Sequence, residues 1–320
     1  MKNFKVGIAF SKDFKGNSPL GHIGTKLPVY IRLLEFCEAS GWDVYVLTKK
    51  TYKGKGLFEG SWKFSKGKFK KIKTGVKIDL VYDRSAGVKF PPDGDKSAIW
   101  INRKDFKVLC WDKWKAYHMI SGYMPKTFWV EKEEDLKDIL PKIRTQWVVL
   151  KPYNGLKGLG IFIGPKDKAK NFKFSNKFKH YVAQEFVDTS KGIPKITDGM
   201  HDLRVAIVNK KAVWSHVRVP KTGSYMANAA AGGILTEVDY SSVPKSIKKI
   251  VSQVSQRFYE RYDNPSYSID FGIGPDGVPK VFEINDQIGF PRWEMKQKDN
   301  FLESLVYNFS RKLNNSENIF

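Results

Sequence analysis

Apolar and polar positions along the chain fall into short runs of period two and longer stretches of helical period, the pattern of a mixed strand-and-helix protein. Residues 4–10 form an apolar run of strand length. A glycine-rich loop follows at 15–24, then a helix over about 26–40, where Leu27, Tyr30, Ile31, Leu34 and Cys37 share one face and Gly41 ends it. Residues 43–47 give the next strand. This β-loop-α-β unit predicts an α/β layer at the N-terminus. Loops after strands face ligand clefts in such layers, which makes Ser18, His22 and Thr25 candidates for substrate contact beside their plain connecting role. From 49 to 77 lysines alternate with Trp62, Phe64, Phe69 and Ile72, as in a half-exposed hairpin with its apolar residues inward. A strand over 78–83 leaves Arg84 at its end, where a guanidinium can grip a carboxylate or phosphate.

The middle of the chain continues in the same alternation. A short amphipathic helix is predicted over 112–122, a strand over 126–130, and a charged helix over 131–140 with its acids in the first turn. Residues 147–164 read as a buried strand running into Lys151-Pro152, a glycine-rich turn, and a returning strand at 161–163. Such a turn exposes backbone N–H groups that can cradle phosphates. Residues 166–179 are rich in Lys and Phe and read as a mobile or solvated segment. Strands follow at 181–187, 201–208 and 211–219, then a loop at 221–233. A helix over 244–262 carries a core stripe of Ile247, Ile250, Val251, Val254 and Phe258, and a last helix is expected over 294–313.

Residues 267–292 hold the most chemistry. Two strands meet at a Gly-Pro-Asp-Gly turn, so side chains of equal parity share a face. Glu283 and Asn285 must point the same way, and Asp270 lies on the facing strand. Hard oxygen donors in that number suit Mg²⁺, which takes one or two carboxylates and completes its shell with substrate phosphates. Taken alone, the same residues describe a solvated hairpin.

Composition narrows the partners. The 320 residues include 56 Lys+Arg against 33 Asp+Glu, a formal charge of +23, with 41% hydrophobic and 14% aromatic residues. A folded protein attractive to anions is implied, be they nucleic acid, phosphorylated metabolites or acidic peptides. Cys37 and Cys110 are far apart and the five histidines never cluster, which argues against zinc. No signal peptide or membrane-length apolar run is seen, so the cytoplasm is the expected location.

Read in order, these pieces make a set: Asp112-Lys113 before a helix, Lys151 before a glycine hairpin, Gln184-Glu185-Phe186-Val187, Asp202-x-Arg204, Asn228 before Gly-Gly, and Asp270…Glu283-x-Asn285. In this order the chain resembles the ATP-grasp superfamily, especially its carboxylate–amine ligases: the ribosomal-protein glutamate ligases, glutathione synthetases and D-alanine ligases. The strand Val-Tyr-Asp-Arg is loosely similar to a spore-coat-associated branch. The resemblance implies an α/β (α+β) ATP-grasp fold, with a pre-ATP-grasp domain at 1–108, a central subdomain with a glycine-rich lid at 109–187, and a C-terminal subdomain with the metal site at 188–320. It implies that Lys113 (with Lys115 as competitor), Lys151, Gly155 and Gly158 meet the ATP phosphates. Backbone groups around Glu185, Phe186 and Val187 would bind adenine, and Asp202 the ribose. Asp270, Glu283 and Asn285 would hold Mg²⁺ or Mn²⁺, and Arg204, Arg218 and Asn228 would act on the transferred phosphoryl group. The implied reaction joins a carboxylate to an amine, each small or peptidic and including acidic ones, through an acyl phosphate. Two departures stand out. The segment Asp286–Gly289 replaces the usual Ser-Pro-Gly-like stretch near the acceptor, and the phosphate loop Asn154-Gly155-Leu156-Lys157 lacks Ser or Thr. A kinase of inositol-phosphate-like polyanions and a non-catalytic ATP-binding protein on the same fold stay open, whereas no nucleic-acid module is recognisable. Oligomeric state is not readable.

Overall fold

The computed structural model describes residues 3–11, 18–85, 87–88, 90–93, 95–155, 158–225, 227 and 233–317. Three sheets organise them. The first is mixed and seven-stranded, built from β1 (Lys5–Phe10), β2 (Asp43–Thr48), β3 (Tyr52–Gly54), β4 (Leu57–Ser65), β5 (Lys68–Lys77), β6 (Leu80–Asp83) and β7 (Ile99–Ile101). Its order is β3-β4-β2-β1-β6-β7, with β5 on β4, and β1 lies parallel between β2 and β6. The second is antiparallel, β10-β9-β11-β8, from β8 (Thr127–Val130), β9 (Trp147–Pro152), β10 (Phe162–Pro165) and β11 (Tyr181–Glu185). The third, β14-β13-β12-β15-β16, is antiparallel too, from β12 (Asp202–Val208), β13 (Lys211–Val219), β14 (Ile234–Glu237), β15 (Tyr267–Ile273) and β16 (Pro279–Asn285).

The helices are α1 (Leu27–Ala39), α2 (Lys104–Trp111), α3 (Lys113–Ile120), α4 (Leu136–Ile139), α5 (Lys166–Ala169), α6 (Lys245–Arg261) and α7 (Lys298–Glu317). Helix α1 packs beside α7, and both cover one face of the first sheet: Val29, Leu33, Phe301, Leu305 and Phe309 share a core with Val6, Ile8 and Val44. That core runs on into Ala206, Val208 and Trp214 of the third sheet. The opposite face of the third sheet buries α6, as its apolar stripe requires, together with Phe106 and Leu109 of α2 and Ala116 and Ile120 of α3. The second sheet has a core of its own around Val130, Val148, Leu150, Tyr181 and Ala183. A sheet with a separate core can sit across a gap from its neighbour without leaving apolar surface uncovered.

Most expected elements are present, and the hairpin over 49–77 is β4 and β5, with Trp62 and Phe64 buried and the lysines of β5 outward. Two expectations fail. Residues 131–140 make only one α-helical turn, α4, between 3₁₀ turns. The Asp135 carboxylate accepts from the amides of Glu131 and Lys132, each at 3.1 Å, and Pro141 bars continuation. Residues 166–179 are not a solvated segment. After the single turn of α5, Phe172, Phe174 and Phe178 pack on the second-sheet core, and Phe174 stacks on Tyr181 at 4.1 Å between ring centroids. The short strands β7 and β14, and helix α2, have no counterpart in the sequence reading.

Candidate active site

The cleft lies between the second and third sheets and holds a cavity of about 300 Å³. At one end its walls are apolar, with Val149, Ile161 and Ile163 facing Met200 and Phe282. The chain crosses between the sheets at Glu185–Val187, which also lines this end. That crossing is pinned from behind. The Glu185 amide donates to the Lys126 carbonyl (2.9 Å), Phe186 N to Thr145 Oγ1 (3.2 Å), and the Glu185 carboxylate takes the Arg144 amide (3.2 Å). Among the described residues the Val187 amide has no hydrogen-bond partner. A flat apolar slot beside an open backbone donor is what a heteroaromatic base needs.

The other end is polar. Asp112 caps α3, its carboxylate accepting from the amides of Trp114 and Lys115 at 3.0 Å each. The cap fixes the first turn and decides between the two lysines. Lys113 is buried and points into the cleft, its Nζ 2.8 Å from the Gly155 carbonyl and 3.4 Å from Glu283 Oε1; Lys115 is exposed. Lys151 is buried as well and donates to Gln184 Oε1 at 2.9 Å. Burial, reinforced by the nearby Lys113 charge, pushes the Lys151 ammonium down to about 8. Gly155 and Gly158 line the cleft beside them. Gly160 closes the same loop with φ +73°, and a Cβ there would stand 2.9 Å from Tyr181 Oη and 3.1 Å from Pro152 Cγ, so only glycine fits.

Sheet register assembles the rest. Asp270 is the cross-strand partner of both Arg204 on β12 and Glu283 on β16, and Asp202 opposes Arg218 on β13. Arg204 grips Asp270 through Nε and Nη2 (2.5 and 2.6 Å), Arg218 grips Asp202 in the same way (2.6 and 2.5 Å), and Arg218 Nη2 adds a bond to Asp270 Oδ2 (2.8 Å). Asn285 Nδ2 lies 3.3 Å from the same oxygen. Burial opposes the charge on Asp270, but Arg204 and Arg218 outweigh it and hold this carboxyl well below the usual range. Asp202 is pushed up to about 6, chiefly by burial and partly by the Asp270 charge, against the pull of Arg218. Asp270 is therefore no solvated acid but the buried hub of an ion-pair network.

Nearly all of the expected site residues thus line one cleft: Lys113, Lys151, Gly155, Gly158, Glu185, Phe186, Val187, Asp202, Arg204, Arg218, Asp270, Glu283 and Asn285. Asn228, and Leu156 and Lys157 of the phosphate loop, lie outside the described residues. Ser18, His22 and Thr25 are exposed and are not among the lining residues; the His22 ring packs edge-on against Phe10. Arg84 does not offer its donors to a ligand either. It spends them on Tyr30 Oη (3.2 Å), Tyr82 Oη (3.2 Å) and the Ile288 carbonyl (2.9 Å). The sequence set includes Gln184 without giving it a role; in the structure it accepts from Lys151 and itself donates to Thr127 Oγ1 (2.8 Å). Its place directly before Glu185, at the buried end of β11, was the available signal.

Against known proteins, the profile of the RimK-like ATP-grasp domain matches residues 110–306. The chain belongs to the RimK-like ATP-grasp family. A glutathione synthetase of Prochlorococcus marinus is 27% identical over 164 residues, 51% of each chain. A probable alpha-L-glutamate ligase of Psychromonas ingrahamii is 22% identical over 207 residues, 63% of each. The chain thus spans between about half and two thirds of the length of these curated relatives. In fold, it superposes on D-alanyl-alanine synthetase A of Vibrio cholerae with a TM-score of 0.65 at 14% identity, over 98% of this chain and 99% of that one. Like that structure, this is an α/β ATP-grasp fold, and among the described residues no helix is long and apolar enough to cross a membrane.

Proposed function

We propose that the protein is an ATP-dependent carboxylate–amine ligase working through an acyl phosphate. The observation that carries the reading is the pair of buried lysines, Lys113 and Lys151; among the described residues the carboxylate beside them is the partly exposed Glu283. Two desolvated cations at the mouth of an apolar slot are costly unless an anion joins them, and a nucleotide brings base and phosphates together in that spacing. Glu283, Asn285 and Asp270 together supply hard oxygens suited to Mg²⁺. Asp270 gives most of its acceptor capacity to arginines, so Glu283 and the Asn285 amide oxygen would be the principal ligands. Magnesium held there would draw charge off the β- and γ-phosphates.

In this reading the units are 1–108, 109–187 and 188–320, with the second sheet and its 155–160 loop closing over ATP in the cytoplasm. A substrate carboxylate oxygen attacks the γ-phosphorus, the bond to ADP breaks, and an acyl phosphate forms. Arg204 and Arg218, fixed by their own carboxylates, meet the charge on the moving phosphoryl group. An amine nitrogen then attacks the acyl carbon, the C–O bond to phosphate breaks, and the amine gives up a proton. A closed cleft protects the acyl phosphate from water.

The test is turnover of ATP and Mg²⁺ by purified protein with pooled amino acids, short peptides and inositol phosphates, followed by mass analysis. ADP with a new amide mass is the expected result. ADP with a phosphorylated polyol would replace this reading with a kinase on the same fold.

A further inference from the structure

The two strands that carry Asp270, Glu283 and Asn285 end together. Their ladder closes with Ser268 opposite Asn285, the chain enters it past Ser266 and leaves it at Asp286, and β16 is the edge strand of the third sheet. The last rung of an edge strand has pairing on one side only and is where a sheet opens first. A side chain from the first sheet closes that end. Asn102 directly follows β7 and is 5% exposed. Its Oδ1 accepts from the Ser266 amide at 2.7 Å and its Nδ2 donates to the Ser266 carbonyl at 2.6 Å, so one side-chain amide pairs with Ser266 as a neighbouring peptide would. The same Nδ2 donates to the Asp286 carbonyl at 3.2 Å. Among the described residues Asn102 is the side chain that bonds both ends of the hairpin.

The surroundings make this closure firm. Ser266 is buried and held from a second direction by Asn308 of α7, whose Nδ2 donates to Ser266 Oγ at 3.1 Å and whose Oδ1 accepts from Asn264 at 2.7 Å. The tail is tied to the first sheet at two further points: Gln287 Nε2 donates to the Asp83 carbonyl (3.0 Å), and Arg84 Nη2 to the Ile288 carbonyl (2.9 Å). Three consecutive residues after Asn285 are therefore bonded to the ends of β6 and β7 or the residue after each. Buried backbone groups without partners are costly, so opening the hairpin end gives up three bonds of Asn102 at once. An apolar residue of the same volume would fill the junction but would pair none of these groups.

We infer that Asn102 is a positioning residue for the metal site: it fixes the last rung of the hairpin, and through it the place from which Asn285 presents its amide oxygen beside Glu283. The inference rests on the reading of Glu283 and Asn285 as metal ligands. Mg²⁺ demands near-ideal geometry at short metal–oxygen distances, so a small displacement of one ligand is felt in affinity. Asn285 is directly bonded in sequence to Asp286, whose carbonyl Asn102 holds, whereas Glu283 is seated one rung further in, opposite Asp270. Loss of Asn102 should therefore act chiefly on Asn285. The segment 286–289 gains a role in the same way, since its first three residues anchor β16 to the first sheet.

Calorimetry of ADP binding at graded Mn²⁺ tests this, with adenosine alone as a metal-free reference. Asn102→Ala should raise the Mn²⁺ needed for half-maximal ADP binding about tenfold, the loss typical of removing a group that orients a metal ligand, and should leave adenosine affinity unchanged. Hydrogen exchange over residues 264–268 and 285–288 should be faster than in the parent. Leu34→Ala opens a cavity in the core beneath α1 and so loses stability without touching the hairpin; its metal requirement should not move. Asn308→Ala removes one bond to Ser266 and keeps Asn102, so it should give a smaller rise, and it carries the test if Asn102→Ala does not fold. An unchanged metal requirement in the variant that carries the test would overturn the inference, as would an equal rise in Leu34→Ala. A matching loss of adenosine affinity would overturn it too, since Asn102 would then support the whole cleft. Glu283→Gln separates the two readings. An unchanged requirement there removes the metal site, and this role with it; a rise there with none in Asn102→Ala keeps the metal site and removes the positioning role alone.

Discussion

Lys151 donates its buried Nζ to the Gln184 side-chain oxygen at 2.9 Å, so a desolvated ammonium is held by a neutral partner. Gln184 steadies the lysine without cancelling its charge, which is what a phosphate site requires. Burial, then Lys113, bring Lys151 down to about 8, whereas in the unfolded chain it titrates near its ordinary value of 10.5. Two opposite pH dependences follow. Below about 8 the lysine is protonated in both states, and nucleotide affinity should be flat; above it ADP affinity should fall by up to about tenfold per unit. In the free protein the unfolded chain binds the extra proton between 8 and 10.5, so this group raises stability across that window by up to about 1.4 kcal/mol per unit. Calorimetric titration of ADP and urea unfolding over pH 7–9.5 measure the two slopes. Gln184→Glu should move the affinity break upward in pH and weaken nucleotide binding below it, because the new carboxylate competes with phosphate for Lys151.

The Arg218 guanidinium bridges Asp202 and Asp270, with a side chain 9% exposed. Among the described residues, Arg218→Met removes the only guanidinium hydrogen-bonded to Asp202 and one of the two bonded to Asp270. A buried carboxylate left alone costs about 3–5 kcal/mol, and that is the expected loss in urea unfolding at pH 8. Protonation relieves it. Asp202 is already raised to about 6, and without Arg218 it should rise further, so the loss should shrink by pH 5. Adding Asp202→Asn should recover much of the stability but not turnover. A loss that is equal at both pH values would mean that Asp202 finds another cation.

Which of these relationships the sequence discloses depends on the reach of the interaction. Alternation within a hairpin is local, so the shared face of Glu283 and Asn285, and Asp270 opposite, could be read from residues 267–292 alone. The Asp270–Arg204 and Asp202–Arg218 pairs come from cross-strand register between segments 66 and 16 residues apart, which no periodicity encodes. The same holds for the packing of α7 on the first sheet, and for Arg84 reaching Ile288 across 204 residues. Strand β7 has three residues, too few to show alternation. Lys113 could not be told from Lys115 because the answer lies in where Asp112 caps the helix. Phe172, Phe174 and Phe178 sit among lysines without a regular period, so their burial against Tyr181 was invisible.

Glu283 separates chemistry from stability. Its side chain is 34% exposed and touches Lys113 at 3.4 Å, so the ion pair contributes little to folding. Glu283→Gln keeps shape and should change the unfolding free energy by less than about 1 kcal/mol. As a principal Mg²⁺ ligand in the proposed reaction, it should nevertheless lower kcat by about a hundredfold or more. The metal gives an independent readout: the Mn²⁺ needed for half-maximal ADP binding should rise at least tenfold. A variant with normal metal dependence would remove Glu283 from the metal site.

Arg84 ties the first sheet to the end of the metal hairpin. Its three contacts are to Tyr30, Tyr82 and the Ile288 carbonyl, and its plane covers Phe290. Arg84→Met keeps some of the stacking area but leaves that carbonyl and two phenol oxygens without their donor. Each lost contact costs roughly 1 kcal/mol, which sets the expected destabilisation at about 2–4 kcal/mol in urea. Arg84→Lys should recover less than half, because one ammonium cannot span three acceptors set around a planar fork. The position matters for more than stability. Ile288 lies three residues past Asn285 and next to Gly289, so loosening it should disturb the tail of the hairpin, whereas none of these Arg84 partners lines the cleft between the second and third sheets. The expected signature in Arg84→Met is a raised KM for the non-nucleotide substrate with ADP affinity within about twofold of the parent. Equal losses on both ligands would mean that Arg84 supports the whole cleft and not the tail of the hairpin.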